Sequence, residues 1–214
     1  MRSCRAALAA GLVVFAVTAH AQIVVNEGFE DVGTLPVSGW VLSNASTPLG
    51  TTGWFQGDQT IFPAFAGSPS SYVAANFNNA AAGGTIANYL FSPTFTTQDG
   101  ATVSFWARSV GEPGFTDHIR VGSTTGGSTP ADFIQIGTDI TLTDTWTQYT
   151  YAIGAQGVGA TGRAVIEYFG AADASDYIGV DSFSVNVVPE PEIWALMSLG
   201  FVALASVKRR RRPA

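Results

Sequence analysis

Two kinds of side chain in this sequence could carry out acid-base chemistry: a histidine and paired carboxylates. His118 is the only histidine after residue 21, so any Ser-His-Asp triad would need it. No Gly-x-Ser-x-Gly motif accompanies it, and the neighbouring Asp117 would point to the opposite face of a strand that held both residues. We interpret His118 as a surface residue at a strand end and predict no catalytic residues. The alternative is glycan hydrolysis by two carboxylates about 5–10 Å apart, for which the candidates are Glu27 with Glu30 and Glu112 with Glu167.

Carboxylates could also bind a metal ion. Calcium takes about six to eight oxygen ligands, several of them backbone carbonyls, and a sandwich domain can supply these where its first and last strands meet. The residues there are Glu30 and Asp181, with Glu27 and Asp31 in reserve. We predict a structural calcium ion at Glu30 and Asp181. No contiguous EF-hand spacing is present, and the alternative is that these are ordinary acids of turns and edges.

Aromatic residues offer a binding surface. Trp54, Phe62 and Phe65 fall in a stretch interrupted by Pro and Gly, where they could form a platform that stacks on sugar rings. Asp58 and Gln56 would then orient the sugar hydroxyls. The alternative is that these rings fill the core. That reading applies more strongly to three other tryptophans: Trp40, Trp106 and Trp146.

The sequence predicts that the elements which position these residues are β-strands. Between residues 22 and 187 apolar residues alternate, helical spacing is absent, and turn-forming clusters separate the segments. This pattern predicts an all-β domain, a two-sheet β-sandwich of jelly-roll type. The candidate strands are 23–25, 40–43, 53–56, 72–76, 86–91, 102–108, 118–122, 133–137, 145–153, 163–169 and 177–187.

The last candidate strand changes parity along its length. Ile178 and Val180 share one face, whereas the apolar residues from Phe183 onward share the other. Because side chains alternate strictly along a regular strand, either both faces are buried early or a bulge intervenes. We expect any such bulge near Asp181 and Ser182.

Charge excludes one class of partner. Of the 16 acidic residues all but Glu190 and Glu192 lie between residues 22 and 187, so 14 carboxylates there face three arginines, a formal net charge of −11. Such a surface cannot neutralise a phosphate backbone, and we predict no nucleic-acid binding.

The N-terminus has the pattern of a secretory signal peptide. Two arginines precede the apolar segment 6–17, and the Ala-His-Ala sequence at 19–21 fits a cleavage site before Gln22. We predict a signal-peptide helix within residues 1–21. Cys4 is the only cysteine, so the exported part can form no disulfide.

The C-terminus has the pattern of a membrane stop signal. An apolar run covers residues 193–207 and is followed by five basic residues at 208–212. At about 1.5 Å per residue its helix spans roughly 22 Å, short of the ~30 Å hydrocarbon layer, and snorkelling of the basic side chains could close the gap. The basic cluster orients the predicted transmembrane helix with its C-terminus in the cytoplasm and leaves the preceding residues outside.

Pro189-Glu190-Pro191, followed by this apolar span and terminal arginines, resembles the PEP-CTERM sorting signal of Gram-negative bacteria. The resemblance implies that residues 188–212 are recognised, through these three residues, and cleaved by a membrane protease of the exosortase class. It also implies export across the inner membrane, anchoring there before processing, and a final location on the outer surface or outside the cell.

Seven blocks in order resemble choice-of-anchor J domains, which are similar to the cleaved-adhesin and MAM group of jelly rolls. They begin with Asn-Glu-Gly-Phe-Glu and end with Ile-Gly-Val-Asp-Ser-Phe-Ser-Val, and they occupy residues 26–30, 39–40, 89–93, 103–108, 119–126, 146–149 and 178–185. The resemblance implies binding to surfaces, glycans or partner proteins and a structural calcium ion. Asp181 is followed by Ser182 where such domains frequently have a second Asp, which leaves the calcium ligands incomplete.

These observations predict a non-enzymatic surface or extracellular-matrix protein, with residues 22–187 serving adhesion or recognition. The first alternative is a carbohydrate-binding module acting on exopolysaccharide, and the second is a glycan hydrolase. The expected partners are an exosortase-type protease, the inner membrane, and extracellular polysaccharide or surface proteins.

Overall fold

The fold is described from a computed structural model, which covers residues 21–187. The predicted signal peptide, the Pro-Glu-Pro motif and the predicted transmembrane helix 193–207 lie outside these residues. Within residues 21–187 no helix is long and apolar enough to cross a membrane.

The described residues form strands joined by turns and by four short 3-10 helices, at Val32–Thr34, Phe77–Asn79, Pro130–Asp132 and Ala172–Ala174. The strands are β1 (Gln22–Glu27), β2 (Val41–Asn44), β3 (Thr47–Leu49), β4 (Phe55–Gln56), β5 (Val73–Asn76), β6 (Ala80–Phe91), β7 (Phe95–Thr96), β8 (Ala101–Ser109), β9 (His118–Thr124), β10 (Ile134–Gln135), β11 (Ile140–Thr141), β12 (Thr147–Ile153), β13 (Thr161–Ala171) and β14 (Tyr177–Val187).

The strands form two antiparallel sheets. A six-stranded sheet has the order β12-β8-β14-β5-β4, with β1 also pairing with β14. An eight-stranded sheet has the order β10-β9-β13-β6-β2, with β11, β3 and β7 pairing with β9, β6 and β13 respectively. The predicted all-β sandwich is therefore confirmed for residues 21–187. Each of the candidate strands overlaps an observed one, and the sequence reading missed β3, β7 and β11.

The core lies between the inner faces of the two sheets. Val103, Phe105 and Ala107 of β8 alternate with outward residues, and they join Ile119 and Val121 of β9 in one buried cluster. Aromatic rings run through this cluster in edge and stacked contacts, in the order Phe29, Trp40, Phe183, Phe105 and Tyr149. Because two opposed apolar faces need each other for burial, this alternation fixes which residues of every strand face outward.

Strand β14 contains the expected bulge. Its register against β8 shifts between Asp181 and Ser184, and Ser182 has a φ of 49°. Ile178 and Val180 before the bulge and Phe183 after it all reach the inner cluster. Both explanations for the parity change are correct: the bulge is present, and both faces of the strand are also buried from Tyr177 to Asp181.

Candidate functional site

A long loop covers part of the outer face of the six-stranded sheet. We call residues 57–72 the aromatic loop; it joins β4 to β5, whose pairing of Gln56 with Val73 brings the loop ends together. Gly57 N donates to Tyr72 O at 2.8 Å, and Gln56 Nε2 donates to Ser70 O at 2.6 Å. The closed base makes the loop an ordered cover on the sheet.

Phe62 lies at the centre of an aromatic cluster between the loop and the sheet. Its ring stacks on Tyr72 at 5.1 Å and meets Trp146 and Tyr177 edge-on at 5.7 and 5.3 Å. The Arg108 guanidinium carbon lies 4.3 Å from the ring centroid, within the range of a cation–π contact. Phe62 therefore holds the loop down.

The predicted aromatic platform is not assembled as one surface. Trp54 is 7% exposed and belongs to the core between the sheets, and Phe62 is 4% exposed beneath its loop. Since a sugar must reach the face of a ring to stack on it, neither ring can serve the platform. Phe65, at 41% exposure, is the one of the three that solvent reaches.

Phe65 forms a two-ring stack with a residue assigned to the core from the sequence. Its ring lies 3.8 Å from that of Trp106, with the planes 14° apart. Trp106 points outward from β8, between Gln148 of β12 and Asp181 of β14. Trp146 is also on the outer face, where its Nε1 donates to Pro63 O at 3.0 Å. The core assignment was right for Trp40, which is buried, and wrong for Trp106. Trp146 is half-buried and packs against the buried aromatic cluster that contains Phe62 and Tyr72.

A polar strip continues the outer face beyond the Phe65–Trp106 stack. Its side chains come from three adjacent strands in register: Thr102 and Ser104 of β8, Gln148 and Thr150 of β12, and Ser184 and Asn186 of β14. All six alternate with residues that pack inward, and all are at least partly exposed. Ser104 and Ser184 share a hydrogen bond of 2.9 Å between their hydroxyl oxygens. The strip is uncharged and offers both donors and acceptors.

Asp181 has a structural role at the edge of this surface. Its carboxylate is fully buried, with Oδ2 accepting from Ala66 N at 3.0 Å and Oδ1 accepting from Ser182 N and Ser182 Oγ. Burial raises the pKa of this carboxyl, although the donated hydrogen bonds oppose the shift. Asp181 pairs with the outward-facing Trp106 just before the bulge, so its carboxylate lies under the aromatic loop and ties Ala66 to the sheet.

The surroundings of Asp181 do not fit a calcium ligand. N–H and O–H donors converge on both carboxylate oxygens, whereas a calcium site gathers carbonyl and carboxylate oxygens. Glu30 is exposed, and within residues 21–187 no group of three or more His, Cys, Asp or Glu side chains could hold a metal ion. Calcium binding stays a prediction for calorimetry to decide.

The acid-base candidates lie in separate structural roles. His118 is partly exposed, with Nδ1 3.2 Å from Thr141 Oγ1. Asp117 is buried on the other side and accepts hydrogen bonds from Tyr168 OH at 2.6 Å and Asp176 N at 2.9 Å, as expected from their opposite directions. Burial raises the pKa of Asp117.

Glu167 is the most buried of the carboxylates proposed for hydrolysis. It lies on the outer face of the eight-stranded sheet, with Oε2 3.6 Å from Arg120 Nη1, and burial raises its pKa. The same surroundings raise the pKa of Tyr89 to about 12, chiefly through burial. Glu112 is exposed in a loop. Arg120 also pairs with Asp139 at 2.9 Å, so Glu167 belongs to an ionic network.

The sequence matches no family model and no curated protein. Among solved structures, the K3 cleaved adhesin domain of Lys-gingipain from Porphyromonas gingivalis is 24% identical over 78% of this chain and 99% of its own, with a TM-score of 0.58. The K1 domain of the same protein is 22% identical over 75% and 96%, with a TM-score of 0.56. The K2 domain is 20% identical over 75% and 98%, with a TM-score of 0.58. These similarities show the fold, a jelly roll like that of cleaved adhesin domains.

Proposed function

We propose that this is an exported surface or extracellular-matrix protein whose sandwich domain serves adhesion or recognition. The observation that carries the proposal is the polar strip beside the Phe65–Trp106 stack. The domain has a net charge of −11, yet the six side chains of the strip carry none. An accessible, uncharged surface with hydrogen-bonding groups suits the recognition of a neutral polymer or a partner protein.

A carbohydrate-binding module acting on exopolysaccharide is the more specific candidate. Phe65 is held in place by Trp106, and its partial exposure leaves it available to a sugar ring. The hydroxyls and amides of the polar strip would bind the sugar hydroxyls of neighbouring residues. The stack would supply affinity and the strip would supply orientation.

A glycan array probed with the protein and with Phe65→Ala tests this candidate. An aromatic contact contributes about 0.5–1.5 kcal/mol, so we expect roughly two- to twelvefold weaker binding by the variant. Gln148→Ala with Thr150→Ala should weaken binding as well. Ile134→Ala is the control, because Ile134 is 56% exposed and lies in β10 of the eight-stranded sheet, outside the strip. Binding that depends on Ile134 and ignores Phe65 would place the site elsewhere; no binding to any glycan would leave protein adhesion.

Hydrolysis of glycans is the weaker alternative. Glu167 is held by Arg120 on the eight-stranded sheet, away from the polar strip on the six-stranded one. Glu167 can form a structural ion pair of this kind without having any catalytic role. We therefore propose a non-enzymatic domain, and a reducing-sugar assay on any polysaccharide that binds would detect activity to the contrary.

In this proposal the two terminal segments determine where the protein is delivered. Residues 1–21 direct export across the inner membrane, and residues 188–212 hold the chain there until an exosortase-type protease recognises Pro189, Glu190 and Pro191. Processing then leaves the protein on the outer surface or outside the cell. Deleting residues 188–214 should change the location and the size of the product, measured by fractionation and mass spectrometry. An unaltered product from the truncated chain would refute this part.

A further inference from the structure

A second surface, at one end of the sandwich, has different chemistry. We call it the acidic cleft; it has a volume of about 330 Å³ and is lined by the rings of Phe77 and Phe115, by alanine methyls, and by Asp173 and Asp176. It lies where the 3-10 helices after β5 and β13 meet the loop before β9. It shares no residue with the polar strip.

The two phenyl rings of the cleft are open to solvent. Phe77 is 43% and Phe115 44% exposed, and both line the same cleft over a methyl surface that includes Ala80 and Ala82. Single exposed apolar side chains are ordinary on protein surfaces, but two large rings that line one concavity suit a ligand with an apolar part.

The charge of the cleft is not balanced from within the domain. Asp176 is partly buried. Burial is the largest cause of the raised pKa of its carboxyl, and the negative charges of Asp117 and Glu112 raise this pKa further. The backbone N–H of Asp176 donates a hydrogen bond to Asp117 Oδ1, and its carbonyl oxygen accepts one from Phe77 N. These two hydrogen bonds fix the position of the Asp176 backbone. Asp173 Oδ1 accepts a hydrogen bond from Gly83 N at 2.9 Å.

Each arginine of residues 22–187 makes its contacts with residues outside the cleft. Arg108 lies over Phe62, Arg120 pairs with Asp139 and Glu167, and Arg163 donates to the carbonyls of Gly39 and Ser92. No lysine occurs in this range. No arginine or lysine side chain of residues 22–187 is therefore placed to balance the charge of the cleft.

We propose that the acidic cleft binds a lysine or arginine side chain of a partner polypeptide. The aliphatic stem would pack on the phenyl rings and methyls, and the charged end would lie between the ring faces and the carboxylates. A bare divalent ion fits less well, because the described residues contain no group of three His, Cys, Asp or Glu side chains able to hold one. A volume of about 330 Å³ accommodates one such side chain but only a short piece of a glycan. This inference does not depend on the ligand of the polar strip.

Titration calorimetry of the full chain with short capped glycine peptides tests the proposal. One peptide carries a central lysine, one a central arginine, and one the neutral isostere citrulline. We expect the two cationic peptides to bind at least tenfold more tightly than the citrulline peptide, and their binding to weaken as salt rises. Equal binding of the neutral peptide, or tighter binding of a neutral oligosaccharide that Phe115→Ala abolishes, would overturn the proposal.

Variants separate a specific site from general attraction to an acidic protein. Asp176→Asn removes one charge, makes no change in shape, and should weaken binding about tenfold; Phe115→Leu keeps an apolar side chain, loses the ring face, and should weaken binding severalfold. Asp99→Asn removes one exposed charge remote from the cleft and should leave binding unchanged. Equal losses in Asp99→Asn and Asp176→Asn would overturn the proposal. Melting temperatures of the variants show that each is folded.

Discussion

Full burial of a carboxylate is energetically unfavourable unless hydrogen-bond donors surround it, and Asp181 has such donors. Backbone N–H groups from Ala66 and Ser182 point at its two oxygens. Removing such an acceptor strands buried donors, which costs more than the hydrogen bonds themselves contribute. At the scale of single residues, the attachment of the aromatic loop depends on this side chain and on Phe62.

Asp181→Asn should lower the free energy of unfolding by about 1–3 kcal/mol, because the amide NH₂ faces an N–H donor where the carboxylate oxygen accepted a bond. Urea denaturation followed by tryptophan fluorescence measures the change. Asp99→Asn, an exposed acid, should stay within about 0.5 kcal/mol of the parent. An Asp181 variant as stable as the control would show that the loop is held by packing alone.

Calcium binding can be decided independently of that variant. Because protein donors occupy both Asp181 oxygens, we expect the melting temperature in EDTA to equal that in millimolar calcium. Differential scanning calorimetry of the same sample in the two buffers makes the comparison. A clear upward shift in calcium that Glu30→Gln removes would restore the calcium site.

At the scale of elements, the close contact of the aromatic loop with β14 requires a residue without a side chain. A β-carbon on Gly179 would lie 2.8 Å from Tyr72 Cδ2 and 2.9 Å from Phe62 Cε2. Backbone and ring therefore meet directly, and the loop packs flat on the sheet.

Gly179→Ala should destabilise the domain by about 1–3 kcal/mol, because the added methyl must displace the packed rings. Near-ultraviolet circular dichroism should change as well, since Trp146 contacts the same rings. Gly154→Ala is the matched control, with no atom within 4 Å of the new methyl. Equal stability of the two variants would mean that the loop does not press on β14.

The sequence could predict the elements better than the covering loop. Alternation predicted β8, β12 and β14, and the parity change located the bulge near Asp181. The two-residue strands β7 and β11 are too short for periodicity to distinguish from turns, and Pro48 concealed β3. Trp106 was predictable, because it alternates with the buried Phe105. That Phe62 is buried under its own loop was not, because the loop has no periodic pattern to assign its faces.

At the scale of the whole molecule, seven carboxyl groups have pKa values shifted in one of two directions. One class is buried or partly buried and has a raised pKa, chiefly through desolvation: Asp117, Glu167, Asp176 and Asp181. The other is exposed and has a pKa lowered by hydrogen bonds from nearby donors: Asp58, Asp132 and Asp139. The two classes affect stability in opposite directions as the pH changes.

Stability should therefore be greatest in mild acid. Above the unfolded pKa, near 3.8 for Asp and 4.5 for Glu, each buried carboxyl binds its proton more tightly in the folded state, so stability falls as pH rises through its folded pKa. The exposed class acts below 3.8, where its stabilisation is lost as pH falls. We expect the melting temperature to rise as the pH is lowered from neutral towards these unfolded pKa values, and to fall again below pH 3.8, where the exposed class becomes protonated. Glu167→Gln should flatten the upper slope; a melting temperature that climbs steadily from pH 5 to pH 8 would contradict this expectation.

The pairing of Gln22 with Val187 brings the first and last strands together, so both ends of the sandwich leave from one corner. If the tail holds the protein at a membrane, a pull on a bound ligand enters β14 through Ser184 and Asn186 and leaves through Val187, only a few residues away. β1 and β8 flank this segment on either side, and their hydrogen bonds to it would be loaded together. Because the other strip residues lie on β8 and β12, mechanical tension would then be carried by the six-stranded sheet, and the eight-stranded sheet could stay folded while the attachment bears force.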